Sequence, residues 1–231
     1  MENIILEFTE RTKEIDRYFS FVENVIKDEA SLYFKDRKRR KVKKIDGEIQ
    51  KILKANSFIL LYNLIESSFK STLESLCDEI NNSETSYDNL IPEVKKMWLE
   101  YESEYFTKKP KQSKKLDHVY SIINDLTNYV LTIPRTLDGI GISGNVDGKK
   151  IKECVKAYGL TSKAIMTKPA GKLLTVKTQR NNLAHGDVSF SDCGRNYTFD
   201  ELSEIKKEVF SYMKFVLNVF NKNIKRKYYL Q

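Results

Sequence analysis

Arg180-Asn181-Asn182-Leu183-Ala184-His185 places a cation, two amides and an imidazole within six positions. On a helix, Asn181 and Asn182 lie four and three residues before His185, hence on its face. Arg180 is five residues back, about 140° round the axis, so it shares a ligand with His185 only through its length or by reaching one held by a second protomer. Gly186 follows as the expected left-handed cap of a helix predicted from Pro169 to His185. The dipole at that helix end favours a proton on the imidazole. Such a cluster suits either a polar helix terminus or an anion site, and the residue types alone leave both open.

Other chemistries find no support. Gly139-Ile140-Gly141-Ile142-Ser143-Gly144 spells GxGxxG, but Pro134 and a predicted helix precede it where a dinucleotide fold needs a strand. Gly171-Lys172 has Met166 where a phosphate-binding loop needs glycine and Leu173 where it needs Ser or Thr. There is no GxSxG. Two histidines, His118 and His185, exclude a His-rich metal site within one chain, so no metal or cofactor is expected. His118 reads as an ordinary surface residue. Cys77, Cys154 and Cys193 form neither a disulfide framework nor a metal clip and are expected to be reduced thiols in a cytoplasm. The N-terminus lacks the basic, apolar build of an export signal, and no apolar run approaches the ~20 residues of a membrane span.

The elements that must position this cluster read as helices. Nine glycines and four prolines in 231 residues are few for a sheet protein, and no glycine lies between Gly47 and Gly139. The expected fold is all-α, a bundle of long antiparallel helices. Ile5, Phe8, Thr12, Ile15, Phe19, Val22 and Ile26 make a heptad seam whose partner helix is either in the chain or in a second copy. The basic run from Lys35 to Lys44 follows, so residues 1–44 read as a heptad-patterned helix with a basic segment and 45–231 as a helical domain, expected to form one compact unit with that helix. From Ile45 to about Glu79, 3/4 spacing through Ile49, Ile52, Asn56, Ile59, Asn63, Glu66 and Lys70 predicts one long helix with Asn63 and Glu66 on a buried stripe, where they need partners. Further helices are expected from Pro92, over Leu116–Leu131, and after an Asp147 cap. The final helix opens on a Thr198/Glu201 capping box. Asp138 to Gly148 reads as a long loop, and no strand series emerges.

The net charge is +8. It concentrates in the run containing Arg37, Lys38, Arg39, Arg40 and Lys41 and in a second patch at Lys108–Lys115, either solvated surface or a footprint for a phosphate backbone.

Arg180 to His185 resembles the RxxxxH motif of the HEPN superfamily of helical ribonucleases and RNA-binding domains. Leu61-Tyr62-Asn63-Leu64-Ile65-Glu66-Ser67, Gly144-Asn145-Val146-Asp147-Gly148-Lys149-Lys150-Ile151 and Arg180 to Leu202 together resemble the MAE-type HEPN-like nucleases of bacterial toxin and phage-defence loci, a likeness over roughly residues 45–220. The resemblance implies metal-independent RNA cleavage by a dimer that brings two motifs together. Arg180 then holds the scissile phosphate, His185 is general acid or base, and Asn181 orients the phosphate or His185, with Asn182, Glu66 and Asn63 in support. Lys177 and the Arg37–Lys41 cations attract RNA. The partners implied are RNA, a second protomer, identical or paralogous, and an antitoxin or other defence protein, with no membrane. Two alternatives remain: a non-catalytic RNA-binding or interaction module, and a scaffold assembled through the heptad seam.

Overall fold

The computed structural model describes residues 1–35, 40–108, 111–127, 133, 145–160 and 162–231. The expected Gly139–Gly144 loop segment and Pro134 lie outside them. Among the described residues the chain is an all-α bundle with one small hairpin.

Three long helices carry it: α1 (Glu2–Ile26), α2 (Gly47–Asn82) and α9 (Phe199–Lys225). Helix α1 runs antiparallel to α2, with Met1, Arg11 and Tyr18 bonding to Ser75, Ser67 and Leu53 in turn. It is also antiparallel to α9, through Lys225–Glu2, Lys206–Asp16 and Lys27–Asp200. Helices α2 and α9 are therefore parallel, as the Lys54 bond to the Tyr197 carbonyl and the Phe69–Phe220 ring pair confirm. The heptad seam resolves within the chain: Phe8, Ile15, Phe19 and Val22 are buried against these two neighbours.

The hairpin corrects the expectation that the basic run lacks strands. Strand β1 (Ser31–Lys35) pairs antiparallel with β2 (Arg40–Lys44). No periodic apolar face announced it because the pair buries none: every described side chain of both strands is exposed.

Helix α2 corrects a second expectation. Asn63 is exposed, as are Ile49, Ile52 and Lys70, and Glu66 is only half-buried. The buried stripe runs instead through Ala55, Phe58, Tyr62, Ile65, Phe69, Leu73 and Leu76. The middle of α2 is apolar on nearly every side, so spacing alone gives two equivalent stripes. Packing by α1 and α9 and by two shorter helices, Gly171–His185 and Phe190–Arg195, decides between them and leaves the counted one open.

The shorter helices are α3 (Pro92–Thr107), α4 (Gln112–Thr127), α5 (Gly148–Ala157), α6 (Lys163–Thr167), α7 (Gly171–His185) and α8 (Phe190–Arg195). Helices α6 and α8 were not anticipated; each starts on a serine, Ser162 or Ser189, that caps its first turn. His118 is not free surface. It stacks on Tyr105 at 4.1 Å and lies 3.2 Å from Glu102, joining α4 to α3. No helix among the described residues is long and apolar enough to cross a membrane, and none of their His, Cys, Asp and Glu groups forms a metal-binding cluster.

Candidate functional site

Helix α7 presents the Arg180–His185 cluster. Its last turn closes as expected, with Gly186 at φ 76° and the Asp187 and Val188 N–H groups donating to the Asn182 carbonyl at 2.9 and 3.3 Å. The next short helix, α8, fixes where that end sits. A Cβ on Gly194 would lie 1.9 Å from the Lys51 carbonyl oxygen, so α8 lies backbone to backbone on the first turns of α2. Ser191 adds a 2.7 Å bond to Glu48.

The Arg180 guanidinium is held from three sides. It lies 4.3 Å from the centroid of the Tyr62 ring, donates to the Asn181 side-chain oxygen at 2.9 Å, and stands 3.9 Å from Glu66. A quarter of the Arg180 side chain stays exposed. Tyr62 is itself fixed, since its hydroxyl accepts the Val146 N–H at 3.2 Å, and burial raises its pKa. Thus α2, α7 and the segment before α5 meet at Arg180.

Beside this group Asp147 caps α5, accepting the Lys150 N–H at 2.9 Å, and pairs with Lys177. Burial alone would push the Asp147 carboxyl up. The Lys177 hydrogen bond and charge and the backbone N–H of Lys150 outweigh it and hold the group below the usual carboxylate range. Lys177, expected to face RNA, is thereby engaged inside the chain.

The structure brings together Arg180, Asn181 and Glu66 and adds Tyr62. His185 is exposed at the end of the same helix, α7. Asn182 contributes its backbone carbonyl to the helix terminus, and Asn63 faces solvent. Of the basic run, Arg37, Lys38 and Arg39 lie outside the described residues, Arg40 begins β2, and Lys41 is exposed. Sequence reasoning missed Tyr62 as the stacking partner of Arg180. The available signal was its position four residues before Glu66, on the same face of α2.

A family model described as MAE_28990-like HEPN matches residues 1–229. The chain belongs to the HEPN superfamily in its MAE_28990-like branch. No curated protein and no solved structure matches it. The HEPN match extends beyond residues 45–220, over which the sequence likeness was drawn, and takes in α1 and the hairpin as well. The α1 seam packed on α2 and α9 gives that extension a physical basis, because those helices would otherwise expose the surface that Phe8, Ile15, Phe19 and Val22 cover.

Proposed function

We propose that this HEPN protein is an endoribonuclease that works without a metal, acting as a toxin or phage-defence effector. The observation that carries the reading is the Arg180 guanidinium, fixed against Tyr62 and Asn181 yet with a quarter of its side chain exposed, on the helix that ends in exposed His185. A preorganised guanidinium offers paired donors to a phosphate and stabilises charge that builds on it during in-line attack. An imidazole, with a reference pKa of ~6.5, takes the proton of a ribose 2′-hydroxyl or returns one to the leaving 5′-oxygen. The 2′-oxygen attacks phosphorus, the bond to the 5′-oxygen breaks, and the products carry a 2′,3′-cyclic phosphate and a 5′-hydroxyl.

Arg180 leans onto α2 while His185 faces outward. A second protomer supplies the complementary pair, so the working site is composite and forms at a dimer interface. Asn181 orients the arginine. Antitoxin and activator proteins are partners consistent with such a role.

The second reading is a non-catalytic RNA-binding or interaction module. Glu66, 3.9 Å from Arg180, favours it, because a carboxylate there competes with phosphate. Cleavage of RNA by the purified protein in excess EDTA, compared with Arg180→Ala and His185→Ala, decides between the two. Loss of cleavage in both variants is expected; equal cleavage by all three proteins sinks the nuclease reading.

A further inference from the structure

The β1–β2 hairpin stands out from the bundle with no buried face, although an isolated two-stranded hairpin is marginal at best in water. Its register sorts the side chains. Leu32 pairs with Lys43 and Phe34 with Lys41, and cross-strand partners share a face. One face therefore sets two apolar side chains of β1, Leu32 at 44% and Phe34 at 48% exposure, opposite two lysines of β2. Neither Lys41 nor Lys43 makes an ion pair among the described residues. On the opposite face Tyr33 pairs with Val42 and Lys35 with Arg40, and Lys44 is neutralised by Glu29 at 2.7 Å.

We propose that the Leu32/Phe34/Lys41/Lys43 face of the hairpin is a stacking platform for single-stranded RNA: Phe34 takes a base, and Lys41 and Lys43 take the flanking phosphates. This inference rests on the RNA reading above but does not require cleavage. An aromatic ring beside cations on an open sheet face is what an unpaired strand needs, since every base has a π-face and every linkage a charge. A duplex hides its bases and offers the ring nothing. A second copy of this chain is a poor occupant, because lysine-rich strands repel edge to edge.

Chain topology connects the platform to Arg180. Strand β2 leads through Ile45 and Asp46 directly into α2, and α8, which begins five residues after His185, rests on the first turns of that helix. Arg180 sits opposite Tyr62, and the 15 residue steps from Gly47 to Tyr62 span about 22 Å of helix. That is on the order of six nucleotides at the ~3.4 Å stacked spacing of one strand.

The test uses the full chain with His185→Ala, in EDTA. Trp98 is buried and is the single tryptophan, so Phe34→Trp installs the one solvent-exposed indole. Titration with a 12-nucleotide oligouridylate is expected to quench that indole, and an equally long RNA duplex to leave it bright. Phe34→Ala lowers oligouridylate affinity at least ~5-fold. Lys41→Gln with Lys43→Gln flattens the log–log salt dependence by about 1.4, or ~0.7 per lysine. Tyr33→Ala, on the opposite face, changes affinity less than twofold. Absence of quenching, duplex binding as tight as single-strand binding, wild-type affinity in Phe34→Ala, or a blue shift of the indole on protein self-association without RNA each overturns the proposal. A chain that quenches but never cleaves RNA in the His185-intact form refutes the nuclease alone. A chain that cleaves and binds equally well with Phe34→Ala refutes the platform alone.

Discussion

The Arg180 guanidinium rests on the face of Tyr62, 4.3 Å from the ring centroid, and the Tyr62 hydroxyl accepts the Val146 N–H at 3.2 Å. One buried tyrosine therefore links the candidate phosphate-binding group on α7 to the segment that opens α5. Its ring and its hydroxyl have separable duties.

Tyr62→Phe keeps the ring under Arg180 and strands a buried N–H, which costs about 1–3 kcal/mol of stability. Tyr62→Leu removes the ring as well. A guanidinium displaced by even 1 Å loses on the order of 100-fold in rate. The expected result is a lowered Tm for both variants, with cleavage per folded molecule retained in Tyr62→Phe and reduced at least ~10-fold, in kcat, in Tyr62→Leu. Equal kcat in the two would remove Tyr62 from any positioning role.

The Asp147–Lys177 pair gives a pH signature. The folded carboxyl is held below its unfolded value, so its contribution is present above the unfolded pKa of ~3.9 and is lost as pH falls through the folded pKa. Asp147→Asn still caps α5, because asparagine is a good cap, but does not titrate. Thermal melts from pH 6 to pH 3 should fall more steeply for the wild type than for Asp147→Asn. Parallel curves would show that the pair contributes no acid sensitivity.

How much of this was legible in the sequence depends on whether the signal was local. The Thr198/Glu201 capping box and the left-handed Gly186 were readable because a few adjacent residues determine each, and both are present. The α1 seam was readable as a stripe, but its partner was not, since heptad spacing carries no address. Asn63 was misplaced because an all-round apolar helix offers two stripes and only tertiary packing chooses one. The basic run hid a hairpin because strands without a buried face show no alternation. In the candidate site, Arg180, Asn181 and Glu66 were named and do meet. The engagement of Lys177 by Asp147 joins residues 30 apart and has no local trace.

Gly194 tests the support beneath the end of α7. Any side chain there meets the Lys51 carbonyl, a backbone atom that cannot swing aside. Gly194→Ala should cost on the order of 3 kcal/mol and shift α8 off α2. A melt within 1 °C of wild type would contradict the close approach. Gly186→Ala, where the space is open but φ is 76°, should cost only about 1–2 kcal/mol.

The α1 seam separates a folding role from an assembly role. Phe19 is buried, its ring 6.2 Å from that of Phe199, with the Lys206 ammonium 4.9 Å above it. If the seam is used within the chain, Phe19→Ala opens a cavity between α1 and α9 and costs about 3–5 kcal/mol. That penalty acts on the protomer and is independent of protein concentration. If the seam instead held two copies together, the loss would appear as a lowered dimer affinity and a Tm that depends on concentration. Melts of Phe19→Ala over a 100-fold concentration range, with sedimentation at both ends, distinguish the two. The packing of Phe19 on Phe199 predicts a lower Tm by the same amount throughout, with the sedimentation pattern of the wild type.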